Sequence, residues 1–268
     1  MKKISLLLST ANERINQVDS SLIKKYENVE LIIVHQIYID NKEKFNYYSQ
    51  EKVFIRNEKG LSKSRNIALA YAEDNICLLC DDDIKLVKNF DNIIFDAYRE
   101  NPEADVICFQ AIDEDGIKFK NYHSKKRWLN IMTLMKVSSI EITFKLMSIQ
   151  NTNIKFDEEF GLGTEMPTGE ESIFLVDAYK KNLKILYVPI PIVIHPLESS
   201  GTEWNNEKMI KGKAAMFGRM FGKFGYFFNL LFSLKKYSLY KKEHSFVVFL
   251  GMMNDGLSNF LKSSKLSS

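Results

Sequence analysis

A chain of 268 residues that is 45% hydrophobic and carries a net charge of +3 is long enough for one α/β domain with a full core and a small appendage. It is too short for two ordinary domains, and no apolar run approaches the roughly 18 residues of a membrane span. Charge is uneven: from Gly201 onward eleven Lys and Arg face four acids, so the tail carries +7 and residues 1–200 carry −4.

The start, MKKISLLLST, mimics a signal peptide, but its apolar run of about five residues is short and no small-residue cleavage site follows. A first strand is expected over 4–8. The spacing of Ile15, Val18, Leu22 and Ile23 predicts a helix from about Arg14 to Tyr26, and VELIIV (29–34) and VFI (53–55) read as strands. In GLSKSRNIALAYAEDN a turn at Gly60 opens a helix, capped by Ser62 and running to about Asn75, and ICLLC (76–80) is the next strand. Strands alternating with helices argue for a mainly parallel sheet flanked by helices. ADVICFQAI (104–112) reads as a strand, DEDG (113–116) as a turn and VSSIEITF (137–144) as a strand. FGLGTEMPTG (160–169) is a glycine-punctuated loop before a helix over EESIFLVDAYKKN. That helix has acids in its first turn and lysines in its last, as the helix dipole prefers. LKILYVP and PIVIH close the domain as two short strands.

The three cysteines, Cys77, Cys80 and Cys108, all sit in apolar strand-like runs. Residues three apart in a strand point to opposite faces, so Cys77 and Cys80 cannot share a metal and are read as core, in a reducing compartment. The tail after 202 differs in kind. Phe217, Met220, Phe221, Phe224, Phe228 and Leu231 recur on one helical stripe with lysines spread elsewhere, a pattern that suits an anionic membrane surface or a helix packed on the main domain.

The chemistry concentrates where ICLLC runs into DDDIKL. Three adjacent carboxylates repel one another by about 1 kcal/mol per pair in water and more where water is excluded, so positive charge is expected beside them. In open α/β sheets ligands bind beyond the carboxyl ends of strands. Carboxylates there suit Mn²⁺ or Mg²⁺, hard cations that bridge to phosphates. The helix start LSKSRN adds backbone N–H groups, the hydroxyls of Ser62 and Ser64, and Arg65, all fitted to a diphosphate.

These stretches together resemble family 2 glycosyltransferases of the GT-A fold, especially bacterial enzymes that build surface polysaccharides. ISLLLSTANER resembles the family's first strand and nucleotide loop, GLSKSRNIALAYA its glycine–serine–arginine–asparagine segment, and CLLCDDDI its D-x-D segment. FDEEFGLGTEMPTGEESIFL resembles the acceptor-side loop that leads into the family's Glu-Asp pair. The resemblance covers roughly residues 1–196. It implies an α/β GT-A (Rossmann-like) fold, with a mixed, mainly parallel sheet over 1–202 and a basic, Phe-rich helical extension over 203–268.

Carried over residue by residue, the resemblance makes Asp83 the first metal ligand, with Asp81 and His195 beside it. Asp81 and Asp82 contact ribose or metal, the register among the three aspartates being open. Ser9, Thr10, Ser62, Arg65 and Asn66 line the nucleotide-sugar site, Arg65 near the diphosphate. Glu171 stands where the family usually has Asp and is assigned the role of base, with Glu170 as its neighbour. Where relatives show acids after the second strand, this chain has His35 and Gln36, which can hydrogen-bond a uracil edge or ribose. The resemblance implies an inverting, metal-dependent transferase. It moves a sugar from a nucleotide donor, by resemblance UDP-linked, to a saccharide acceptor, lipid-linked at the inner face of a membrane. No nucleic-acid partner is expected, and the location is cytoplasmic or peripheral to the membrane. Two rivals are a nucleotidyltransferase of related fold, whose glycine-rich first loop LSTANER lacks, and an inactive subunit that binds another transferase.

Overall fold

The structure is a computed structural model and describes residues 3–23, 26–38, 52–73, 76–196 and 204–266. The chain divides into two compact units: Met1–Lys59, Lys63–Phe156 and Phe174–Glu198 form the first, and Gly60–Ser62, Asp157–Ile173 and Ser199–Ser268 the second. The sequence reading divides the chain once, at 202. The compact units instead group the glycine-punctuated loop with the C-terminal helices.

The first unit is built on β1 (Ile4–Ala11), α1 (Ser20–Ile23), β2 (Val29–Gln36), β3 (Lys52–Arg56), α2 (Leu61–Tyr71), β4 (Ile76–Asp81), β5 (Lys85–Leu86) and α3 (Phe90–Glu100). It continues through β6 (Val106–Ile112), β7 (Arg127–Trp128), α4 (Ile131–Leu134), β8 (Ile142–Lys145), α5 (Leu146–Thr152), α6 (Glu170–Lys180) and β9 (Ile185–Ile194). The strands form one sheet in the order β3-β2-β1-β4-β8-β6-β9-β5, with β7 also on β9. β1 to β4, β6 and β9 share one direction, while β5, β7 and β8 oppose it. This is the mixed, mainly parallel sheet expected from the sequence. Alternation sends Leu6, Leu8, Ile33, Leu78 and Cys80 into one core, closed by Phe90, Ile94, Ala97 and Tyr98 of α3. Toward α6, Phe174 stacks on Phe156 at 4.3 Å and meets Phe144 of β8. All three cysteines are free and buried, as core residues should be.

Several elements differ from the sequence reading. The helix expected from Arg14 to Tyr26 is instead a 3-10 turn over Asn12–Gln17 followed by the short α1. Asn12 adopts a left-handed φ of +50° that ends β1 sharply, and the Asp19 carboxylate caps the Ser21 N–H at 2.8 Å. Ile15 and Val18 still pack on the core, so their spacing reported burial rather than a continuous helix. α2 ends at Tyr71, and Asp74 and Asn75 lie outside the described residues. The segment 137–144 opens as a 3-10 turn over Ser139–Glu141 before β8 begins. The two short strands expected at 183–195 are one, β9, because register shifts opposite Gln110 absorb the two prolines.

The second unit carries α7 (Glu207–Phe221), α8 (Gly225–Tyr240) and α9 (Phe246–Leu266), which pack on one another. The tail stripe expected on a single helix is therefore broken. Gly222 takes a left-handed φ of +58°, which separates α7 from α8, so that Phe217 and Met220 are buried while Phe224 and Leu231 are exposed. The loop before α6 packs on α7. An added Cβ on Gly212 would meet Pro167 at 3.2 Å, and Arg219 Nε donates to Asp157 at 2.7 Å.

Candidate active site

Parallel pairing sets the site. β1 pairs Thr10 with His35 and Ala11 with Gln36 on one side, and Ser9 with Asp81 on the other. The carboxyl ends of three neighbouring strands thus bring Ser9, Thr10, His35, Gln36 and Asp81 to one edge of the sheet. β5 then folds back antiparallel onto β9, pairing Lys85 with Ile194. That return carries Asp83, two residues before Lys85, to His195, one residue beyond Ile194.

Each aspartate meets a different partner. Asp82 is buried and accepts from the Thr10 hydroxyl at 2.7 Å and from Arg14 Nε at 2.9 and 3.0 Å, and it also pairs with Arg14 Nη2. Asp83 is more open, with Arg14 Nη2 at 3.1 Å and His195 Nε2 at 3.5 Å. Asp81 accepts from Arg65 Nη2 and from the Ser139 hydroxyl, both at 3.1 Å. The positive charge expected beside the three carboxylates is therefore supplied by Arg14 and Arg65, with His195 set against Asp83. Asp83 titrates below its usual range, chiefly because His195 bonds it and Arg14 adds to the field. His195 is correspondingly raised, chiefly by Asp83.

Arg65 is expected near a diphosphate; in the structure it is fully buried, set against Asp81 and over the Phe156 ring. Ser64 donates to Ser9 at 2.9 Å. Asn66 clamps Phe156 by both ends of its amide, at 2.9 and 2.8 Å. His35 lies at the core edge with Nε2 2.7 Å from the Asn12 carbonyl, which steadies the left-handed turn, and burial lowers its pKa. Gln36 is buried beside it on β2.

Within the second unit, Ser62 does not cap α2; its hydroxyl donates to the Phe160 carbonyl at 2.7 Å, and the Leu61 N–H is taken by the Leu162 carbonyl. Glu170 is buried against Gly161, and Glu171 is half-buried in the first helical turn. Gly169 just before them holds φ at +96°, a conformation that side chains resist.

Two groups of residues were missed in the sequence. Arg14, three residues past the end of β1, was read as a helix start; the demand for positive charge beside the aspartates was the signal that pointed to it. Glu141 is buried, where it takes Tyr122 at 2.6 Å, Lys120 at 2.7 Å and the Ser138 N–H at 3.2 Å. These bonds fix the 3-10 turn from which Ser139 reaches Asp81. An acid interrupting an otherwise strand-like run was its only signal.

Among the described residues no group of three or more His, Cys, Asp and Glu side chains is arranged to hold a metal ion. Asp83 and His195 do form a two-donor pair, and the His195 Nδ1 bond to the Pro196 carbonyl leaves Nε2 facing Asp83. Such a pair fits Mg²⁺ or Mn²⁺, which bind through one or two protein groups and fill their remaining positions with water and phosphate oxygens.

An open α/β sheet with carboxylates, guanidinium groups and hydroxyls gathered at its carboxyl edge has its ligand site there. The profile of glycosyl transferase family 2 matches residues 5–161, and the chain belongs to this family of glycosyltransferases. None of the curated proteins matches it in sequence. Among solved structures it is similar to S. aureus TarS 1–349, at 14% identity and a TM-score of 0.62, over 99% of this chain and 92% of that one. It is also similar to S. aureus TarS 1–349 in complex with UDP-GlcNAc, at 15% identity and a TM-score of 0.59, over 96% and 80%. Against the longer S. aureus TarS structure, at 16% identity and a TM-score of 0.58, 88% of this chain aligns and spans only 44% of that chain. At such identities the likeness is one of fold.

Proposed function

We propose that the protein transfers a sugar from a UDP-linked donor to an acceptor hydroxyl, with inversion and with Mn²⁺ or Mg²⁺ present. The observation that carries this reading is the array at the carboxyl ends of β1, β2 and β4, where Thr10 and Arg14 hold Asp82 and leave Asp83 facing His195. The TarS structures with UDP and UDP-GlcNAc support a uridine nucleotide as the donor.

In this reading Ser9, Thr10, His35 and Gln36 border the nucleoside, and Asp81 and Asp82 receive the ribose. Arg14 engages the carboxylates through Nε and Nη2 and offers Nη1 to the diphosphate. Arg65 and Ser139 act from beneath by holding Asp81 in place. Asp83 and His195 would hold the metal, which when bound would supply positive charge to a departing diphosphate. Glu171 takes the proton of the attacking hydroxyl, with Glu170 beside it. The acceptor is a lipid-linked saccharide, and the basic tail keeps the enzyme at an anionic membrane surface. No helix among the described residues is long and apolar enough to cross a membrane, so attachment is peripheral in this reading.

Thermal melting with UDP, with and without Mn²⁺, tests the donor site. Mn²⁺ should add to the stabilisation by UDP in the parent and add nothing in Asp83→Ala. Equal Mn²⁺-dependent shifts in both would remove Asp83 as the ligand.

A further inference from the structure

α8 is built inside out. It buries Gly225, Asn229 and Ser233, with Tyr240 at its last turn the one large side chain that it buries fully. Gly225 sits against Leu257 of α9, where an added Cβ would come within 2.3 Å of the Leu257 side chain. Asn229 donates to the Met253 carbonyl at 3.0 Å, while its own Oδ1 and the Ser233 hydroxyl are buried with no hydrogen-bond partner among the described residues. Phe228 and Phe232 pack inward on Phe217, but most of the large apolar residues point the other way. Phe227, Leu230, Leu231, Leu234 and Tyr237 recur at i, i+3, i+4, i+7 and i+10, and all are exposed, Phe227 by 51% and Leu234 by 57%. A helix that served only its own unit would place these residues inward and the serine and asparagine outward. A contiguous apolar face of this kind marks a surface with a partner.

Charge identifies the partner. From Gly222 to Lys242 the chain contains five lysines and no acid, and Lys223, Lys235, Lys241 and Lys242 are exposed. A second copy of this face would bring like charges together with no carboxylate in the segment to answer them. An anionic bilayer answers them and also accepts the aromatic and leucine side chains at the level of its headgroups.

We propose that α8 lies in the plane of an anionic membrane surface, its Phe227–Tyr237 face entering the interface and its lysines meeting lipid phosphates. The membrane-facing residues are thus the Phe227–Tyr237 face of α8, which keeps only Leu231 of the stripe from Phe217 that the sequence pattern suggests. This inference rests on the peripheral attachment proposed above and is independent of the sugar-transfer chemistry.

The test is co-sedimentation of the full chain with phosphatidylcholine vesicles and with vesicles of equal parts phosphatidylcholine and phosphatidylglycerol. The parent should bind only the anionic vesicles, and more weakly as salt rises. The triple variant Phe227→Gln/Leu231→Gln/Leu234→Gln changes exposed side chains, should melt like the parent, and should lose about a hundredfold in partitioning. A second variant, Lys235→Glu/Lys241→Glu/Lys242→Glu, should also lose binding and does not depend on the first one folding. Parent-like binding by both variants would overturn the assignment of α8 while leaving attachment in place. Absence of vesicle binding by the parent would overturn attachment itself, whatever its transferase activity. A lipid-free dimer of the parent that the glutamine variant abolishes would make the face a contact between copies and overturn the proposal.

Discussion

Replacing Thr10 with valine removes one hydroxyl and changes little else, because the two side chains share size and β-branching, and a strand end favours both. The lost bond is the 2.7 Å donation to Asp82, made between two buried groups. A hydrogen bond to a charged acceptor contributes about 1.5–3 kcal/mol. Asp82 retains Arg14, which reaches both of its oxygens, so the lower part of that range applies, about 1.5–2 kcal/mol. For a chain of this size the melting temperature should fall by about 3–8 °C, at roughly 2–4 °C per kcal/mol. The assay is thermal melting without ligand of Thr10→Val, Asp82→Ala and the double variant. In the Asp82→Ala background the hydroxyl has no carboxylate to serve, so adding Thr10→Val should cost almost nothing. If the valine costs the same in both backgrounds, Thr10 acts through packing alone and does not position Asp82.

Two further outcomes concern positions away from the aspartates. Gly169→Ala should destabilise by about 2–5 kcal/mol, since φ of +96° strains any side chain and the new Cβ would lie 2.5 Å from Met216 Sδ. Adding Met216→Ala should recover part of that loss, and melting of both variants checks it, full additivity counting against the clash. His35 has its pKa lowered in the folded state by burial, so its contribution is present above the ordinary histidine range and is lost as pH falls below it. Melting between pH 7.5 and 5 should therefore show a steeper acid loss in the parent than in His35→Gln, and parallel curves would place the titration elsewhere.

The nucleotide half of the fold was legible because its strands are short apolar runs ended by polar residues, and their alternation with helices leaves little choice of sheet. ICLLC running into three aspartates marked a strand end and a charged site at once. What escaped was set by partners far apart in sequence. Arg14 takes its position from acids 68 and 69 residues away, and no local spacing encodes that. α3 buries Phe90, Ile94, Ala97 and Tyr98 at helical spacing, a signal that lies between two stronger strand signals. The C-terminal stripe failed for a different reason. Hydrophobic periodicity assumes that apolar residues face inward, and the Phe227–Tyr237 face of α8 breaks that assumption.

Sugar transfer itself is tested most directly by the turnover of Glu171→Gln. Release of UDP from a set of UDP-sugars, with saccharide acceptors present, gives turnover, and titration of UDP with Mn²⁺ gives donor affinity. The glutamine keeps the shape of the side chain and cannot take a proton. Turnover should fall by about 10²–10⁴-fold with donor affinity little changed, and Glu170→Gln should be milder. Near-parent turnover in both variants would remove these glutamates from the mechanism. Failure of the parent to bind UDP or to release it from any donor would contradict the reading of this chain as a nucleotide-sugar transferase.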